Sequence, residues 1–161
     1  MPSTEITYSE RKYRIAREWF CKGREATDEF DKFIALWIAF NALYCSDGGE
    51  WSQISNFITE NYHEEFDSVL EDISFFYRTI KNLHPAEYAP RNTKKMVRIL
   101  KDPDATSIEK LKQLLNCIYI ARCNLFHGEK ALEYDDKDIA KHSGDILEKY
   151  LTIYFSIKHK S

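Results

Sequence analysis

From Ser107 the chain reads SIEKLKQLLNCIYIARCNLFHG, with apolar residues at Ile108, Leu111, Leu115, Ile118 and Leu125. Steps of three, four and seven residues place side chains along one face of an α-helix. Most of the chain carries the same period, and no stretch alternates cleanly enough for a sheet. Such a chain buries its apolar surface by stacking helix on helix. The expected fold is therefore all-α, a bundle of about five to seven helices in one domain spanning residues 1–161.

The other segments fit this frame. Residues 7–24 put Tyr13, Ala16, Trp19 and Phe20 on one face. Residues 28–44 are apolar nearly all round, the mark of a central helix buried on several sides. A short helix is expected over 51–60, and a longer one over 62–81 with Phe66, Val69, Leu70, Ile73 and Tyr77 inward. Residues 92–101 form a short basic segment. Thr106 is placed to cap the 107–127 helix, with Glu109 completing a capping box. The last helix, 138–158, carries Ile139, Ile146, Leu147, Tyr150, Ile153 and Tyr154 as its stripe.

Composition narrows the function classes. At 161 residues the chain is long enough for a real core, and its 14% aromatic content suits a ring-rich one. A net charge of −3 argues against indiscriminate nucleic-acid binding but leaves room for a local basic site. No run approaches the roughly 20 apolar residues of a membrane span. Residues 1–14 lack the apolar core of a secretory signal. The four cysteines have no CxxC spacing, which fits free thiols in a reducing cytoplasm. His63, Glu64 and Glu65 lack HExxH spacing, and there is no Gly-rich phosphate loop or GxSxG elbow. Neither a metal nor a cofactor is expected.

Position 122 continues the stripe of the 107–127 helix, yet it is an arginine. A permanent cation on a buried face is costly unless something compensates it. His127 follows five residues later, and Gly128 is the usual residue just past a helix end. In a regular helix positions 122 and 127 lie about 140° apart, but a histidine at the fraying end can swing toward the arginine. The helix C-terminus favours an imidazolium that donates a proton. Two explanations stand at this level. Either Arg122 pairs with a carboxylate inside the bundle while His127 merely caps the helix, or the two form a phosphate-binding and proton-transfer pair.

The string IARCNLFHG, with four residues between Arg122 and His127, resembles the RxxxxH signature of the HEPN (higher eukaryotes and prokaryotes nucleotide-binding) superfamily. FIALWIAFNALY, residues 33–44, is similar to the aromatic second helix of several bacterial HEPN groups. The resemblance implies a bundle that dimerises through the RxxxxH helix, with the two motifs facing one another. It also implies a metal-independent endoribonuclease, often a toxin or anti-phage effector with a neutralising antitoxin. In such a site Arg122 holds the phosphate, and His127 serves as general base or acid. Asn124 is the polar residue offered as a third member, displaced by one position from the family's usual place, which Cys123 occupies. Where one toxin group has a tyrosine two residues past the histidine, this chain has Glu129. A non-catalytic HEPN module that binds a nucleotide or a protein is the alternative the same resemblance allows.

On this reading Ile118, Leu125 and Phe126 drive the homodimer, and Arg122 lies at the lip of its cleft. Lys130, Lys94 and Arg98 are candidate RNA contacts, the last two within an acid-free run, RNTKKMVRILK, that equally suits a solvated helix face. Asn41 in the most apolar helix needs a hydrogen-bond partner if buried. His142 and His159 read as surface residues. The acidic run 133–138 solvates a loop or meets a basic partner surface.

Overall fold

The structure is a computed structural model, which describes residues 6–71, 73, 74, 76, 77, 93–126 and 134–160. Among these there are six α-helices and one 3-10 helix, and no strand. The all-α bundle expected from periodicity is what the chain forms. Helix α1 spans Tyr8–Glu25, α2 Glu29–Tyr44 and α3 Glu50–Glu60. The 3-10 helix covers Glu64–Leu70, followed by α4 (Thr93–Lys101), α5 (Ser107–Phe126) and α6 (Tyr134–Lys160).

Local chemistry sets the helix starts. Asp28 accepts from the amides of Phe30 and Asp31 at 3.0 and 3.1 Å, which satisfies donors that α2 leaves unpaired at its first turn. At α5 the Thr106 hydroxyl accepts from the Glu109 amide at 3.2 Å, and the Glu109 carboxylate accepts from the Thr106 amide at 2.8 Å. This is the reciprocal box expected from the sequence. Thr7 and Glu10 build a second one at α1, which the sequence reading had not singled out.

Helices α1 and α2 form an antiparallel pair, and α2 packs along α6. Helix α5 lies against α3, α4 and α6. From Leu114 to Ala121 every α5 residue is buried, so α5 is encased at least as fully as α2. Ile118 is fully buried inside the chain and is not available to drive association with a second copy. Leu125 is half-buried against the same core. A one-face reading failed here because the polar residues that interrupt α5, Lys112 and Gln113, are half-buried and the rest of the turn is apolar.

The segment expected as one long helix over 62–81 begins instead as a 3-10 helix over Glu64–Leu70, and residues 74, 76 and 77 beyond it are α-helical. Phe66 and Val69, three apart, are both buried, which suits three residues per turn. Phe66 stacks on Tyr150 of α6 at 4.6 Å, and Tyr62 donates to Asp67 at 2.6 Å, which ties the turn down. The inward assignments hold, since Ile73 is also buried and Leu70 and Tyr77 pack against the core. Aromatic rings fill the centre, with Phe40 in edge contact with Tyr150 and Phe57 at 5.7 and 5.9 Å. Helix α6 begins earlier than the expected residue 138 and runs to Lys160. His142, expected at the surface, is half-buried, while His159 is exposed.

A polar cluster around Arg122 as candidate functional site

Arg122 lies in the last turns of α5 and is half-buried, with its Nε enclosed. It is neither a surface arginine nor a fully immersed one. Tyr119, Arg122 and Cys123 stand at i, i+3 and i+4 and so share one helix face. The Arg122 Nη1 lies 3.9 Å from the Cys123 Sγ, and Cys123 is buried.

The C-terminal end of α2 and the start of α3 close on this face. Asn41 and Tyr44, again three apart, point the same way. The Tyr44 hydroxyl donates to Glu50 Oε1 at 2.5 Å and accepts from Asn41 Nδ2 at 2.9 Å. Asn41 Nδ2 also approaches Glu50 Oε1 at 3.5 Å. Asn41 thus finds its partner within this cluster. Trp37 backs the cluster, stacked on Tyr119 at 6.1 Å and in edge contact with Tyr44 at 6.0 Å.

Electrostatics keep the phenols neutral. Burial pushes the Tyr44 hydroxyl well above its ordinary range, and the hydrogen bond to Glu50 adds to this; Asn41 and the positive charge of Arg122 pull the other way. Tyr119 is raised by burial first, then by Cys123 and Glu50. Two protonated phenols and an amide therefore gather about the Glu50 carboxylate, and the Arg122 charge reaches Tyr44. The cluster supplies hydrogen-bond donors suited to an anion, with Glu50 as the negative group already seated among them.

The other expected site residues are not drawn together here. Asn124 lies two residues past Arg122, about 200° around the helix, and is buried. Among the described residues neither its Oδ1 nor its Nδ2 has a hydrogen-bond partner. It cannot share an open site with the guanidinium without a change in the helix. Lys94 and Arg98 are exposed on α4, whose Met96 and Leu100 face the core. His127 and Lys130 lie outside the described residues, as does Gly128. No group of metal-ligating side chains occurs among the described residues, and none of their helices is long and apolar enough to cross a membrane.

Sequence reasoning missed Tyr44, Glu50 and Tyr119. The i, i+3 spacing of Asn41 with Tyr44 and of Tyr119 with Arg122 was a readable signal. The approach of Glu50 was not, because it depends on how α3 folds back after Gly48, whose φ of 113° is open to glycine. No protein-family model, curated protein or solved structure matches the chain.

Proposed function

We propose that the protein is a HEPN-type, metal-independent endoribonuclease that acts as a homodimer in the cytoplasm, as a toxin or anti-phage effector. The observation that supports this most is the setting of Arg122. A half-buried arginine stands in the last turns of a helix otherwise packed into the core, and its charge acts on the Tyr44 hydroxyl of the Asn41–Tyr44–Glu50 network. An arginine so placed is suited to bidentate recognition of a phosphate.

In the proposed reaction the ribose 2′-hydroxyl attacks the adjacent phosphorus, and the bond from phosphorus to O5′ breaks. The base takes the 2′-hydroxyl proton and the acid returns one to O5′, leaving a 2′,3′-cyclic phosphate and a 5′-hydroxyl. Arg122 holds the non-bridging oxygens and stabilises the charge they gain. His127, or its copy in the second subunit, moves the proton. An antitoxin or other regulatory protein is the partner such an effector requires.

The second reading is a non-catalytic HEPN module that binds a nucleotide or a protein. The burial of both Cys123 and Asn124 favours it, since neither supplies a polar group beside Arg122 to a substrate. Incubation with total RNA in EDTA separates the two. Cleavage that leaves cyclic-phosphate ends and is lost in Arg122→Ala and His127→Ala supports the enzyme. Equal RNA integrity with all three proteins sinks it.

A further inference from the structure

A groove of about 290 Å³ runs between α1 and α6 on a part of the molecule that the Arg122 cluster does not use. One wall is a single stripe of α1. Arg17, Cys21 and Arg24 follow at steps of four and three, all facing the groove. The other wall is a stripe of α6 at the same kind of spacing, Thr152, Ser156 and His159. Phe20 and Phe155, 5.1 Å apart, form the floor. A larger hollow of about 780 Å³ continues past Arg17, which lines both, and adds Arg14 and, at its far end, Glu10 on the same α1 stripe. From Arg14 to Arg24 the stripe extends about 15 Å at 1.5 Å per residue.

The residues that line this groove include two arginines and a histidine and no acid. Glu148 is the acid at its end, 3.9 Å from the Arg24 Nε, but Lys32 of α2 meets the same carboxylate at 2.6 Å and Asp145 at 3.4 Å. Burial works against the charge of Lys32, yet the hydrogen bond to Glu148 and the nearby Asp145 hold its pKa above the ordinary value. Arg24 rests on the Phe20 ring at 5.4 Å, and Arg17 has the Tyr13 hydroxyl at 3.5 Å. Both side chains are exposed. On a chain of net charge −3, α1 carries Arg11, Lys12, Arg14, Arg17, Lys22 and Arg24 against Glu10, Glu18 and Glu25.

We infer that the α1–α6 groove is a binding track for the phosphodiester backbone of single-stranded RNA. Arginines along one wall meet successive phosphates, and the Ser156 hydroxyl donates from the other, where Thr152 gives its own proton to the Glu148 carbonyl at 2.6 Å. Elongation and openness favour a strand over a compact phosphorylated ligand, which a closed cavity would hold better. The floor rings are buried, so the track reads backbone and not base. The RNA assignment rests on the ribonuclease reading, whereas the groove itself does not.

The test uses the full chain and a fluorescein-labelled 2′-O-methyl oligouridylate, which lacks the attacking hydroxyl and so reports binding whether or not the protein cleaves. Fluorescence anisotropy is read across a salt series. Arg17→Ala/Arg24→Ala is expected to weaken binding about tenfold and to lower the slope of log K against log salt by about 1.4, or 0.7 per lost phosphate contact. Arg17→Lys/Arg24→Lys should keep that slope. Unchanged affinity and slope in the alanine pair overturn the proposal, as does displacement of the probe by an equal phosphate concentration of inorganic phosphate. Probe binding that persists in a protein unable to cleave any RNA supports the track while removing the ribonuclease reading.

Discussion

The Tyr44 hydroxyl donates to the Glu50 carboxylate at 2.5 Å, and this bond joins the end of α2 to the start of α3 within reach of the Arg122 charge. It gives the Glu50 carboxylate a partner in α2. Tyr44→Phe removes it. The expected loss of stability is about 1–3 kcal/mol, because a charged, part-buried acceptor loses its donor. Under the ribonuclease reading the released Glu50 also competes with phosphate for Arg122, so KM for RNA rises more than kcat falls. A thermal melt and steady-state kinetics check the two parts separately.

Gly23 marks where α1 and α2 approach most closely. A Cβ there would meet Cγ and Cδ2 of Leu36 at 2.7 Å and the Leu36 amide nitrogen at 3.3 Å. Leu36 is fully buried and its backbone belongs to α2, so it has little room to yield. Gly23→Ala gains about 1 kcal/mol of helix propensity but loses about 1–3 kcal/mol to overpacking. The melting temperature should fall. A rise would mean that the two helices separate without cost.

Ile118 distinguishes core from interface. Fully enclosed in its own chain, it should cost about 2–5 kcal/mol of unfolding free energy when cut to alanine. The dissociation constant of any homodimer, measured by sedimentation well below the melting temperature, should stay unchanged. A weakened dimer with an unchanged melt would return Ile118 to the contact between copies.

Alkali should unfold the protein in a defined window. Burial raises the Cys117 thiol from 9.0 to about 12, and burial together with nearby Tyr13 raises Tyr154 from 10.0 to about 12. Both protonated forms are preferred in the folded state. Their contribution is complete below pH 9 and is lost as pH rises from 9 toward 12. Circular dichroism against pH should show the decline. Cys117→Ala should delay its onset toward pH 10, where Tyr154 begins to contribute. An onset below pH 8 in the wild type would assign the transition to other groups.

Much of the architecture was legible because its causes are local. Thr106 and Glu109 stand three apart and cap α5 as read, since a capping box needs no help from the rest of the chain. The all-round apolar run of α2 could only be enclosed, and it is. The first part of the 62–81 segment differs from the expected α-helix because an α-helix and a 3-10 helix share an apolar spacing near three, and the 3-10 form stacks Phe66 on Tyr150. The site was legible only in part. Arg122 stood out as a cation in an apolar stripe, but its neighbours are residues 41, 44 and 50, more than seventy positions away in sequence.

The sequence by itself determined helical class, the caps and the anomaly at position 122, all consequences of spacing within a few residues. Tertiary structure alone decided that α5 is enclosed on every side from Leu114 to Ala121 and that Glu50 of α3 joins Tyr44 of α2. It also decided that α1 and α6 set Arg17 and Arg24 across from Thr152 and Ser156. Periodicity says which residues leave water. What they meet depends on how the helices pack, and packing is settled by shape and charge across the whole chain.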